Sequence, residues 1–278
     1  MDNKKTRKLP FLDILAKIAS WFLRLLFPPK CVICKDLLLK ESELCPECMA
    51  IWEKARRARC PVCQRTARAC TCSTFHLLNT DMLGEKKLSA LAFYGKFGSD
   101  DLRDILVRRL VYAVKTSDDR SSVNFCARLL SHEIIKTMVL CGEELTDWKI
   151  TYPQRSKKRR KRYGFDHGRD LALKISKYTG IKFEETLKSN AYYTQKSLNA
   201  MERMENANSA YSLKKGVTPS GKYLLVDDVI TTGATVNAAA RVLKAGGAEA
   251  VYPLCIARSK RKKKKVKRPS ERPWFTVK

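Results

Sequence analysis

Residues Tyr223 to Gly247 read YLLVDDVITTGATVNAAARVLKAGG. Tyr223-Leu224-Leu225-Val226 is a short apolar run of branched and aromatic residues, the composition of a buried strand. It ends on two adjacent carboxylates, Asp227 and Asp228, and leads into Thr231-Thr232-Gly233-Ala234-Thr235, small and hydroxyl-bearing throughout. From Val236 to Lys244 apolar residues recur at helical spacing, and Gly246-Gly247 stops the helix. At a helix start the unpaired N–H groups and the positive end of the dipole face whatever sits in the turn. Gly233 lets the backbone come close and three threonines add donors, so the fitting guest is a phosphate monoester. The carboxylates repel phosphate but suit hydroxyl donors or a hydrated Mg²⁺. A sugar phosphate satisfies both halves.

An ordinary β-turn-α unit with helix-capping aspartates is the bland alternative, and paired acids followed by TTGAT argue against it. The chain has neither a GxxxxGK[ST] loop nor a GxGxxG fingerprint, so it lacks the phosphate-binding signatures of P-loop and dinucleotide-binding proteins. The stretch closely resembles the phosphoribosyl-pyrophosphate (PRPP) motif of type I phosphoribosyltransferases. That resemblance implies an α/β fold, a Rossmann-like parallel sheet flanked by helices. It also implies that Asp227 and Asp228 contact ribose hydroxyls while Thr231, Thr232, Gly233, Ala234 and Thr235 cradle the 5′-phosphate.

At 278 residues the chain holds one sizeable domain plus a small module, and its 44% hydrophobic content predicts a packed core. A formal charge of +28 points to a polyanionic partner such as nucleic acid, or to an anionic membrane surface. Phe11 to Phe27 carries Asp13, Lys17 and Arg24 and lacks a small-residue cleavage site, so it reads as neither a signal peptide nor a span. Phe11, Leu15, Ile18, Phe22 and Leu25 fall at helical spacing, which predicts an amphipathic helix within residues 1–28. It packs on the protein itself or makes peripheral contact with a membrane.

Of eleven cysteines, eight form the close pairs Cys31/Cys34, Cys45/Cys48, Cys60/Cys63 and Cys70/Cys72. Each CxxC turn offers two thiolates to one ion, and two turns complete a tetrahedron. In a cytoplasmic chain zinc is preferred to disulfides. Two structural ions are expected over residues 29–76, one on Cys31, Cys34, Cys45 and Cys48, the other on Cys60, Cys63, Cys70 and Cys72. Spacing leaves a cross-braced pairing open, and His76 is an alternative ligand at the second site. So short a segment has little apolar content for a core of its own, so metal supplies its folding energy, about 10–16 kcal/mol per site. With zinc bound the formal charge falls only to about +24.

The larger domain is expected over residues 84–258, beginning with a strand at Ala90 to Phe97 and a helix at Leu102 to Val114 that Lys115 ends. A second helix is predicted over Asn124 to Met138, a strand over Trp148 to Tyr152 and a helix over Arg169 to Tyr178. Cys126, Cys141 and Cys255 are unpaired small hydrophobes. Between the last strand and helix lies RSKKRRKR, Arg155 to Arg162, which repels itself and predicts an exposed loop.

Cysteine pairs ahead of such a domain make the chain similar to the ComF (ComFC) family, linked to DNA uptake in naturally competent bacteria. In that family a proline strand end leads through a basic run to RGFNQ before a helix. Here Tyr152-Pro153 leads to Arg162-Tyr163-Gly164-Phe165-Asp166-His167, with Asp166 and His167 where Asn and Gln are usual. A family segment is matched by Gln195, Leu198, Arg203, Asn206, Ala210 and Tyr211. The resemblance implies an N-terminal double zinc ribbon, places Lys115 at the pyrophosphate side with Arg162, and implies Mg²⁺ bound with PRPP.

The tail, residues 259–278, continues a second basic run, RSKRKKKKVKR at Arg258 to Arg268, and carries Trp274 and Phe275. Such runs bind phosphate backbones without reading sequence, and aromatic rings stack on bases. Two functions follow. One is a DNA-uptake protein that holds PRPP and single-stranded DNA; the other is a phosphoribosyltransferase acting on a nitrogenous base.

Overall fold

A computed structural model describes residues 26–38, 42–70, 72, 90–95, 97–116, 120–156, 164–190 and 210–260, with residues 15 and 22. Most of the expected N-terminal helix, His76, Arg162, Gln195 to Asn206 and the tail beyond Lys260 lie outside them.

In chain order the elements are α1 (Pro46–Arg57), β1 (Ala90–Tyr94), α2 (Leu102–Thr116), α3 (Ser121–Cys141), β2 (Trp148–Thr151) and α4 (His167–Thr179). After them come β3 (Lys182–Phe183), β4 (Leu187–Ser189), β5 (Tyr211–Leu213), β6 (Lys222–Ile230), α5 (Ala234–Ala245) and β7 (Ala250–Ser259). Five strands form a parallel sheet in the order β1-β7-β6-β2-β3, and β4 and β5 pair antiparallel as a separate hairpin. Parallel strands need crossovers and covered faces, and the alternation of helices with strands supplies both.

β6 is the central strand. Tyr223, Leu224, Leu225 and Val226 are all buried, as a strand covered on both faces requires. Leu224 and Val226 pack with Leu254 and Ile256 of β7 against α2, α3 and α4. Tyr223 and Leu225 pack with Val251 and Cys255 against α5. Pro253 sits opposite Leu225 inside β7, a position normally closed to proline. Among the described residues β1 first pairs with β7 at Cys255, so on that side no described ladder partner faces Pro253.

β1 is an edge strand, and the cysteine module straddles it. The first cysteine group joins the core on the α2–α4 face, where Trp52 of α1 meets Phe125 of α3 at 6.1 Å between ring centroids. The second group joins the core on the α5 face with Ala90 and Phe93. An otherwise open sheet edge is thereby covered on both sides. The module was expected to lack a core of its own; it shares both cores of the larger domain. Arg56 and Arg68 each reach the nearly buried Glu133 of α3 at 2.9 Å, fastening the joint.

Several boundaries differ from the sequence reading. The strand expected to end on the acid pair runs through it to Ile230, because Asp227 and Val229 keep their places in the ladder opposite Cys255 and Ala257. β1 stops at Tyr94 rather than Phe97, and Lys115 lies inside α2 instead of ending it. α3 and α4 are longer at both ends, and α3 closes on Gly142 in the left-handed region at φ +67°. Among the described residues no helix is long and apolar enough to cross a membrane.

Candidate functional site

Parallel sheets place their ligands beyond the carboxyl ends of the strands. The Thr231–Thr235 turn occupies that position between β6 and α5. Gly233 stands at φ +80° and buried, a conformation and a depth that suit a residue without a side chain. Thr231, Thr232, Ala234 and Thr235 around it are exposed. The α5 N-cap, Gly233, offers no side chain, Thr232 Oγ1 accepts the Ala234 N–H at 3.4 Å, and no acid stands in the first turn, so the positive end of the helix is not neutralised by a charge.

The two acids differ. Asp228 is buried, and its Oδ2 lies 2.5 Å from His167 Nε2, 3.3 Å from Lys115 Nζ and 3.4 Å from Arg155 Nη2. Burial opposes its charge, but the His167 hydrogen bond and the Lys115 and Arg155 charges outweigh burial and hold its carboxyl well below the usual range. Asp227 is half-buried and accepts the Asp228 N–H at 2.8 Å. Burial first, and the neighbouring Asp228 charge second, push its carboxyl up to about 8.

Three loops and helix ends therefore converge on one carboxylate. Lys115 comes from the last turn of α2, Arg155 follows β2, and His167 opens α4. The structure brings Lys115, Asp227 and Asp228 together with the Thr231–Thr235 turn; Arg162 lies outside the described residues.

His167 and Arg155 were not singled out as site residues. Arg155 was hidden in a basic run read as solvated. His167 was noted only as a departure from the usual amide, although a histidine at a helix start beside an acid was itself a signal. His167 is 2% exposed, and among the described residues its Nδ1 has no hydrogen-bond partner. Asp166 begins the same helix and accepts the Arg155 N–H at 3.4 Å. Phe165, just before α4, lies under the Arg120 guanidinium at 4.5 Å.

The cysteines form two groups, Cys31 with Cys34, Cys45 and Cys48, and Cys60 with Cys63, Cys70 and Cys72. Within each, the four sulfurs lie inside 4.8 Å of one another. Cys34 and Cys45 Sγ are 3.7 Å apart and Cys63 and Cys70 Sγ 3.6 Å. A tetrahedral ion with bonds of about 2.3 Å to sulfur has edges of about 3.8 Å, so both groups fit one. The grouping is sequential. Arg258, at the end of β7, donates from Nη1 to the Cys70 carbonyl at 2.8 Å and ties the second group to the sheet.

A doubly covered parallel sheet whose central strand carries an acid pair just before a threonine turn defines a phosphoribosyltransferase-like protein. Residues 168–277 match the phosphoribosyl transferase domain family. DNA utilization protein YhgH of Escherichia coli K12 is 30% identical over 153 residues, 54% of this chain and 66% of that protein. Competence protein ComFC of Streptococcus pneumoniae is 24% identical over 242 residues, 82% of this chain and all of that protein (100%). A solved glutamine PRPP amidotransferase from B. subtilis aligns with 21% identity and a TM-score of 0.33 over 48% of this chain and 25% of that one. These likenesses support a ComF-family phosphoribosyltransferase-like protein.

Proposed function

We propose that this chain is a cytoplasmic ComF-type protein that binds PRPP with Mg²⁺ and single-stranded DNA and acts in DNA uptake. The observation that carries the reading is the convergence at the carboxyl edge of the sheet: a threonine turn at an acid-free helix start, the acid pair, and Lys115 and Arg155 within 3.4 Å of Asp228. Thr231 to Thr235 would hold the 5′-phosphate, and the half-buried Asp227 would face the ribose hydroxyls. Lys115 and Arg155, with Arg162, would exchange Asp228 for the pyrophosphate oxygens. The acid pair offers hard oxygens of the kind Mg²⁺ prefers, and the ion would neutralise the pyrophosphate.

The DNA half rests on the names of the relatives, a DNA utilization protein and a competence protein, and on the +28 charge concentrated in two runs. Zinc at both cysteine groups would make residues 29–76 a metal-folded unit set against residues 84–258.

Calorimetry with PRPP and Mg²⁺, followed by a short single-stranded oligonucleotide, tests both halves. Saturable PRPP binding that Asp227→Ala weakens by about 10-fold or more is expected. A wild-type protein giving no PRPP heat at millimolar ligand would sink the sugar-phosphate reading.

The cations beside the acid pair also suit departure of pyrophosphate, which favours a second reading, transfer of ribose 5-phosphate to a nitrogenous base. Pyrophosphate release on adding candidate bases would establish it; PRPP binding without release would leave the site a binding or regulatory one.

A further inference from the structure

The carboxyl edge of the sheet carries a second opening on the other side of the phosphate turn. A cavity of about 760 Å³ lies between Pro61, Tyr94, Phe97, Thr231 and Lys260. Those five come from four separate parts of the chain. Pro61 lies between two cysteines of the second group, Tyr94 ends β1 and Phe97 follows it, Thr231 belongs to the threonine turn, and Lys260 follows β7. The Arg258 bond to the Cys70 carbonyl holds the cysteine wall in place.

Its chemistry is mixed in an informative way. Phe97 is 99% exposed, a bare ring at the rim that contributes little to the core. The Arg108 guanidinium lies 5.9 Å from its centroid. Asp104 also lines the cavity and is paired with Lys260 at 3.1 Å, so an isolated phosphate would meet a carboxylate there. A flat ring joined to phosphates suits the space better: aromatic wall for the ring, Thr231 hydroxyl and Lys260 for the polar rim. The volume falls in the range of nucleotide-sized ligand sites. Beyond Lys260 the sequence continues RKKKKVKR, seven cations in eight residues, a composition that binds phosphate backbones.

We propose that this cavity seats a base of a single-stranded nucleic acid, stacked on Phe97, with a flanking phosphate at Lys260. The inference rests on the nucleic-acid half of the function proposed above and not on its PRPP half. It also gives the second cysteine group a role, as one wall of the strand's seat.

The test uses the full metal-loaded chain and an oligo-dT carrying one 2-aminopurine, whose fluorescence is quenched by stacking. Wild type binds and quenches. Phe97→Ala loses the quench and binds about 5- to 150-fold more weakly, while Phe97→Tyr retains both. PRPP titration is the same in Phe97→Ala as in wild type, which excludes global damage. Unchanged affinity and quench in Phe97→Ala overturn the inference while the DNA reading stands. Equal affinity for the oligonucleotide and for free 2-aminopurine nucleotide overturns the strand as ligand. Wild type failing to bind the oligonucleotide removes the DNA reading itself. Quenching that depends on Phe97 in a chain indifferent to PRPP upholds the inference and retires the sugar-phosphate site.

Discussion

Asp227 and Asp228 are neighbours in the chain but point to different duties. Asp228 is the ion-paired anchor of three segments, and Asp227 is the member that meets the ligand in the function proposed above. The pH behaviour of the two is opposite. Asp228's folded pKa is lowered, so the stability it adds is complete above the ordinary carboxylate range and is lost as pH falls through the lowered value. His167→Ala removes its nearest partner and raises that folded pKa. Acid unfolding then begins at a higher pH than in wild type, and stability at neutral pH falls by about 1.5–3 kcal/mol. His167→Gln, which restores a donor, recovers most of the loss. Denaturant titrations across pH measure both.

Asp227's folded pKa is raised, so its contribution is complete below the ordinary carboxylate value of about 4 and is lost as pH rises through about 8. In magnesium-free buffer at pH 8, Asp227→Asn should therefore melt higher than wild type, by about 2–4 °C for each kcal/mol of repulsion relieved. An unchanged or lower midpoint would mean that Asp227 is not strained by burial beside its neighbour. The same variant is expected to weaken PRPP binding, so stability and ligand affinity move in opposite directions at this one side chain.

Among the elements, β6 and α5 were readable because burial on both faces leaves a continuous apolar run, and a glycine-marked start and stop bracket the helix. The strand's extension through Asp227 and Asp228 was not readable. Its cause is the ladder to β7, supplied by residues far along the chain, such as Cys255 and Ala257. The β4–β5 hairpin, only three residues on each side, gave no periodic signal. The cysteine spacing gave the ligand groups, whereas the seating of the module across β1 depends on Trp52, Arg56 and Arg68 finding partners on α3. That seating has measurable consequences. Glu133→Ala leaves Arg56 and Arg68 without their shared carboxylate and should cost about 1.5–3 kcal/mol of stability by chemical denaturation. Metal analysis should find two zinc ions per chain, and one after Cys70→Ser. Because the first group shares a core with Phe125 and Leu130, Cys31→Ser should lower the melting temperature of the entire chain rather than loosen a separate module.

Charge over the full chain joins these parts. A formal +28 is far more than a site for one sugar phosphate needs, and the structure divides the second basic run. Arg258 is a buried part of β7 bonded to Cys70, and Lys260 is paired with Asp104, so neither is a tail residue in the sense the sequence implied. A truncation that tests the tail must keep Lys260 and remove residues 261–278. If the tail contacts a single strand, log K should fall less steeply with log salt, the slope shrinking by about 0.7 for each phosphate contact removed. Affinity at low salt falls with it, while PRPP binding and thermal stability stay as in wild type, because the sheet, both cysteine groups and the phosphate turn remain. A salt slope unchanged by truncation would move the DNA contacts onto the body of the protein, where Lys260, Arg108 and the cavity at Phe97 are the groups placed to make them.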